Sequence, residues 1–491
     1  MKTLFFVMLF ALSSTISFAN EQQSGYLQAN KIQSDKLQAD FTQLYTDLKA
    51  SHINLFANVS KAQYDTKYAE IKKQLSEPLS PIQAQILFQQ FVAFGNIAHA
   101  YIPFPDAEYT EYREQGGTAF PIYVRIKNDK WFVSEDYSSH GLKKDTQITH
   151  INGKNVDAVF KALRQHISSD TSDIAASLLE FMLPKYLWLQ DLQQGAVREA
   201  TTICVVNDEK SRMLDVKHLT RKELQNRIDA ANTLASNLEN KQQDENTEKL
   251  REFTFLSSSV AYLKPGPFYN AEDPADVWNN TDFVAFIDSA FESFIEKGAK
   301  ALVIDVRNNP GGTNSFSDPL IAWFANQPFK FTSTFLIRSS VHAKHANQSR
   351  IDANPNGDNA VSLKLAQAYE SNPAGTVFEF NMDKALPRKD KQFEGDIFVL
   401  IDRTSYSNAV SLAAIVKDYG FGKVIGQPSV DFATTYASME TFTLNNTGIQ
   451  VGFPKAHIIR PSGDTDAGPV TPDVVIEHIN LDTLPEILDN L

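Results

Sequence analysis

The apolar positions change period along the chain. Phe41, Leu44, Tyr45 and Leu48 recur at the three- and four-residue spacing of one helix face, as do Ile86, Leu87, Phe91 and Phe94. Residues 27–95 therefore predict a helical region. The period then drops towards two, and residues 120–126 and 130–134 read as strands. Ile148-Thr-His-Ile-Asn-Gly153 and an amphipathic helix starting near Val156 follow. Residues 221–251 are dense in Lys, Glu, Asn, Gln and Asp and hold no Gly or Pro, the composition of a solvated helix or linker. Beyond them, Val260-Ala-Tyr-Leu-Lys264 predicts a first core strand, residues 283–297 a helix, and residues 303–306 and 397–401 neighbouring buried strands.

Two of these strands run into turns that carry chemistry. Ala301-Leu-Val-Ile-Asp-Val-Arg-Asn-Asn-Pro-Gly-Gly312 ends a β-branched run in paired glycines, which let backbone approach a ligand closely and present N–H groups to an anion. Gly395-Asp-Ile-Phe-Val-Leu-Ile-Asp-Arg-Thr-Ser-Tyr-Ser-Asn-Ala409 runs from a strand through a serine-rich turn into a small-residue helix. A serine at such a turn can present its hydroxyl beside helix N–H groups. Together the two units imply a serine hydrolase.

These two motifs, followed by Val424-Ile-Gly-Gln-Pro428 and Pro472-Asp-Val-Val-Ile476, resemble the tail-specific (C-terminal-processing) and tricorn-like serine peptidases. The resemblance implies an α/β fold: a crotonase-like catalytic core with an N-terminal helical region and a PDZ-like module. The expected division is a signal peptide at 1–19, a helical region at 20–105, a PDZ-like module with connecting strands at 106–220, a charged helical excursion or linker at 221–251, and the peptidase core at 252–491. The PDZ-like assignment rests on the order strand, strand, Ile-Asn-Gly, helix, without a Gly-Leu-Gly-Phe-type carboxylate loop.

The family's reactive serine sits at the second serine of a Ser-x-Ser turn, which makes Ser407 the expected nucleophile and Ser405 and Ser411 its rivals. The bacterial branch activates its serine with a lysine; here Phe432 aligns at that position, and Gln427 stands where the family usually has Glu. The tricorn-like branch takes a histidine base from the N-terminal region, and Phe94-Gly-Asn-Ile-Ala-His-Ala-Tyr101 makes His99 that candidate. His52 reads as structural and His457 as a reserve base. The resemblance further implies Asp466 as the acid that orients the imidazole, with Gly311 or Gly312 and the Asn408 N–H as oxyanion donors. Asp305 and Arg307 read as a lock on the strand end, and Asp473 as structural.

A chain of 491 residues exceeds one ordinary core, and 42% apolar content argues against wholesale disorder. A net charge of -13 argues against nucleic acid or an anionic membrane as a general partner; the family resemblance implies a peptide or protein substrate. Lys2, the apolar run Leu4–Leu12 and the small residues of Ser17-Phe18-Ala19 resemble a cleaved secretory signal, so an exported protein without stable membrane insertion is expected, periplasmic or extracellular. The single cysteine, Cys204, excludes an intramolecular disulfide and reads as a buried strand residue. The ten histidines are scattered and no His-Glu-x-x-His occurs, so no metal and no other cofactor is expected. Two competing readings remain: a non-catalytic binding protein on the same scaffold, and an esterase or amidase using the same acyl-transfer parts.

Overall fold

The computed structural model describes residues 31–207, 210–239, 250–353, 355, 359–466 and 468–491. The expected signal peptide and part of the charged excursion lie outside them. The chain divides into two units, Met1–Gln243 with Met439–Pro454, and Asp244–Ser438 with Lys455–Leu491.

Among the described residues the first unit begins with α1 (Ser34–Ser51), α2 (Lys61–Gln74) and α3 (Pro81–Ala93). Ser60 and Ser80 each form a capping box with Gln63 and Gln83, so the starts of α2 and α3 are written locally. Phe41, Leu44, Tyr45 and Leu48 are buried, as the helical period predicts. After α4 (Asp106–Glu114) come the strands β1 (Ile122–Lys127), β2 (Lys130–Asp136), β3 (Gln147–Ile151), the short β4 (Lys154–Asn155), β5 (Ala200–Asn207) and β6 (Lys210–Lys217). They form one antiparallel sheet in the order β1-β2-β3-β5-β6, with β4 beside β3. Between β4 and β5 run α5 (Val156–Arg164) and α6 (Ser172–Gln193), and α7 (Arg221–Glu239) ends the segment. Apolar residues of α6 and β1, among them Leu179, Leu183, Ile122 and Val124, share one buried cluster.

The second unit contains β7 (Glu252–Phe255), β8 (Val260–Lys264), α8 (Thr281–Glu296), β9 (Ala301–Asp305), α9 (Asn314–Ile321), β10 (Thr334–Arg338), α10 (Val341–Ala353), α11 (Ala360–Ser371), β11 (Val377–Glu379), β12 (Asp396–Ile401), α12 (Asn408–Tyr419), β13 (Lys423–Gly426), β14 (Thr435–Thr443), β15 (Gln450–Ile459), β16 (Val474–Val475) and α13 (Leu484–Leu488). Its main sheet has the order β16-β13-β12-β9-β8-β7, with only β7 antiparallel to its neighbour. Side chains alternate across it. Leu302, Ile304, Ile397, Val399 and Val424 pack towards α8, α9 and α12. Val303, Phe398, Leu400 and Ile425 join Leu484 and Leu488 of α13 on the other face. Burial on both faces explains why β9 and β12 read as continuous apolar runs.

The hairpin β14–β15 passes from one unit to the other. Its tip is held within the first unit by the buried Asp40 of α1, whose carboxylate accepts the Asn446 and Thr447 N–H groups at 3.0 and 2.7 Å.

Candidate active site

Three adjacent parallel strands, β9, β12 and β13, deliver three loops to one edge of the main sheet. The β9–β12 register pairs Leu400 with Asp305, so residues 306–312 and 402–407 leave side by side. Ligand sites of open parallel sheets lie at such carboxyl ends. The two loops are knitted together: the Ser405 hydroxyl donates to the Val306 carbonyl at 2.8 Å, Asn308 N–H to Thr404 Oγ1 at 2.9 Å, and Tyr406 N–H to the Asn309 carbonyl at 3.0 Å. Ser405 is fully buried in this contact, which removes it as a rival nucleophile.

Ser407 sits where the second loop becomes α12. Its backbone has φ 53° and ψ -121°, a conformation that costs a non-glycine residue about 1–3 kcal/mol. It is half-buried, and its hydroxyl has no hydrogen bond among the described residues. A Cβ on Gly311 would lie 2.7 Å from Ser407 Cβ, from Asn408 N and from the Tyr406 carbonyl oxygen. Glycine is therefore required there by space as well as by its φ of 87°. A Cβ on Gly312 would meet the Phe268 carbonyl oxygen at 2.0 Å.

The donors sort by what they already hold. Gly311 N–H is taken by Asn309 Oδ1 at 2.9 Å. Gly312 N–H and Asn408 N–H have no acceptor among the described residues. Asn309, buried and not foreseen from the sequence, also donates from Nδ2 to the Gly266 carbonyl at 2.6 Å and so anchors the glycine turn.

The third loop contributes a residue that the sequence pattern did not reveal. Asp431 is fully buried, and its Oδ2 accepts Ser407 N–H at 2.5 Å. Burial pushes its carboxyl up to about 6, against the opposing hydrogen bonds from the Ser407 and Phe432 backbone N–H groups. Its Oδ1 has no partner among the described residues. Ser429 fixes this loop, its hydroxyl donating to the Asp431 carbonyl at 2.8 Å and accepting Val470 N–H at 2.9 Å. The only available signal was its place beside Phe432, at the position of the missing lysine.

The remaining expected residues fall as follows. Asp305 is buried, pairs with Arg307 Nη2 at 2.6 Å and accepts the Tyr262 hydroxyl at 2.9 Å, so the pair does lock the strand end. Asp466 lies exposed in the loop before β16, and its N–H donates to Asp464 Oδ1 at 3.0 Å. Asp473 is structural, accepting Lys417 Nζ and Val424 N–H, each at 2.8 Å. Ser411 lies inside α12, and Gln427 Nε2 donates to the Glu477 carbonyl at 2.7 Å. His457 stands on β15 with its ring 4.7 Å from that of Tyr436, and burial lowers its basicity. Cys204 lies on β5, half-buried rather than buried, because it faces away from Ile203 and Val205.

In the first unit, His99 is buried in the turn after α3. That turn is pinned on both sides: Ala98 N–H donates to Asp170 Oδ2 at 3.0 Å, and Tyr101 exchanges backbone hydrogen bonds with Gly452 at 3.1 and 2.8 Å. His52, also buried, accepts Asn54 N–H at Nδ1 and is structural.

Residues 279–476 match the family model of Peptidase family S41. Mature CPAF in its complex with lactacystin superposes with a TM-score of 0.63 at 14% identity, over 93% of this chain and 97% of that one. Mature CPAF alone gives 0.61 at the same identity, over 93% and 96%. A photosystem II D1 C-terminal processing protease gives 0.44 at 14% identity, over 92% and 95%. The likeness to CPAF extends the shared fold over nearly the whole chain. No helix of the described residues is long and apolar enough to cross a membrane.

Proposed function

We propose that this chain, a member of peptidase family S41 and a serine-type peptidase, cleaves peptide bonds with Ser407 as nucleophile and His99 as general base. His99 takes the Ser407 proton as Oγ bonds to the scissile carbonyl carbon. The oxygen anion of the tetrahedral intermediate accepts hydrogen bonds from Gly312 and Asn408 N–H, each such donor being worth about 3 kcal/mol of barrier. Gly311 then serves the approach of the two loops, since its own N–H is engaged by Asn309. The intermediate collapses as His99 returns the proton to the leaving amine, and water releases the acyl group by the same steps. Asp466, exposed in its loop, is assigned the role of orienting the imidazole.

The observation that carries this reading is Ser407 itself. A hydroxyl unengaged among the described residues stands on a left-handed backbone at the start of α12, packed against Gly311, beside two N–H groups that have no acceptor among those residues. A serine kept only to satisfy backbone would not need that strain. We further read the parallel sheet as a crotonase-like core, the antiparallel sheet as PDZ-like, and residues 1–19 as a cleaved export signal.

Labelling of the purified protein with a fluorophosphonate tests the chemistry. Wild type should label, and Ser407→Ala and His99→Ala should not. Undiminished labelling of Ser407→Ala would overturn the assignment, and a folded wild type that never labels would favour the binding-protein reading.

A further inference from the structure

We propose that the first unit holds a second ligand site, centred on Arg113, for a small apolar molecule bearing a carboxylate. Arg113 closes α4 and is 8% exposed. Its Nη1 is buried without a hydrogen-bond partner, and no carboxylate pairs with it among the described residues. The charges around it are already committed. Glu114 is exposed and lies 3.7 Å from Arg221, and Asp106 pairs with Lys185 at 2.5 Å. The group beside the guanidinium is the Tyr109 hydroxyl, an uncharged phenol that burial pushes further up, to about 12, so it supplies no counter-charge. A buried guanidinium without a counter-charge is costly, and a bound anion removes that cost.

There is room for one. Arg113 lines a cavity of about 330 Å³ together with Tyr109, Phe120, Tyr123, Phe181 and Leu224, and Lys185 and Arg221 line it as well. That volume suits a compact organic molecule. Phe181, on α6, is 59% exposed, a large apolar side chain turned to solvent where a ligand body would cover it. Aromatic and aliphatic walls around Arg113, which unlike Lys185 and Arg221 has no carboxylate partner among the described residues, match a monoanion on an apolar body better than a phosphate dianion. A peptide strand is disfavoured as occupant, because the Ile126 N–H of the edge strand β1 is already accepted by the Glu180 carboxylate of α6. None of these residues belongs to the peptidase chemistry.

Calorimetric titration of the full chain with 4-phenylbutyrate, and separately with 4-phenylbutyramide, tests the site. The acid should bind at least ~10-fold more tightly than the amide, the ratio expected for one charge-assisted hydrogen bond. Arg113→Met should abolish that preference. Phe181→Ala, a surface change that leaves the fold intact, should weaken acid and amide alike. Ser407→Ala should bind as wild type does, which separates this site from the peptidase reading. Equal binding of acid and amide, no heat with millimolar acid, or a preference that survives in Arg113→Met would overturn the proposal. So would displacement of the acid by inorganic phosphate, or binding only of a peptide with a free C-terminal carboxylate.

Discussion

The backbone N–H of Ser407 donates to Oδ2 of Asp431 across 2.5 Å, linking the loop after β12 to the loop after β13. The bond holds Ser407 in its left-handed conformation while leaving the Asn408 N–H unengaged. Asp431→Ala would leave that amide without its acceptor, costing about 1–3 kcal/mol of stability, with a larger fall in fluorophosphonate labelling as Ser407 relaxes. Asp431→Asn keeps an acceptor and should restore most of the labelling. Because burial raises the Asp431 carboxyl to about 6, its stabilising effect is complete below the unfolded value near 3.8 and is lost as pH rises through 6. Relative to wild type, Asp431→Asn should therefore gain up to about 3 kcal/mol between pH 4 and pH 8 in denaturant titrations. An unchanged difference across that range would remove the carboxyl from this role.

Ser405 and Ser407 should separate cleanly. Ser405→Ala loses the 2.8 Å bond to the Val306 carbonyl, so its free energy of unfolding should fall by about 1 kcal/mol while the protein still labels. Ser407→Ala should lose labelling and keep or gain stability, since a strained position is relieved of nothing it needs. Reversal of these two phenotypes would exchange the assignments.

Gly311→Ala places a methyl group 2.7 Å from both Ser407 Cβ and Asn408 N at a φ of 87°. The loops must part, so peptide hydrolysis should drop by at least ~100-fold, a loss of about 2.7 kcal/mol in transition-state stabilisation. Measuring kcat/KM on any cleaved peptide, against a circular-dichroism control for folding, checks this. Wild-type turnover would show that the close approach is dispensable.

His166 reports on the first unit. It is 3% exposed, its Nδ1 has no partner among the described residues, and burial lowers it to about 4, only partly offset by Gln193. A neutral imidazole is thus stabilising above its unfolded value near 6.5, and that contribution is lost as pH falls towards 4. His166→Gln should remove this acid sensitivity. Compared with wild type, the variant should gain about 2 kcal/mol on going from pH 7.5 to 4.5, a difference in which the raised carboxyls of Asp431 and Asp318 cancel. Parallel pH profiles would contradict the buried neutral state.

The sequence by itself determined the elements whose causes are local. Periodicity marked the buried face of α1, while of the four positions read around α3 Ile86 and Phe91 are buried and Leu87 and Phe94 only half-buried; continuous apolar runs marked β9 and β12 because both faces of the parallel sheet are covered. The Gly-Gly and Ser-x-Ser turns were legible because close backbone approach and a strand-to-helix serine each demand particular residue types. Tertiary structure decided the rest, since it depends on contacts between distant segments. α6 was not anticipated, as Pro184 lies inside it and burial against β1 outweighs the lost N–H. The hairpin tip that joins the first unit is held by Asp40, some four hundred residues earlier. Asp431 had no pattern to announce it: a lone aspartate in a loop becomes a buried partner of Ser407 only when β13 is laid beside β12. In the same way Arg113 reads as an ordinary helix-end cation until packing encloses its guanidinium without a counter-charge.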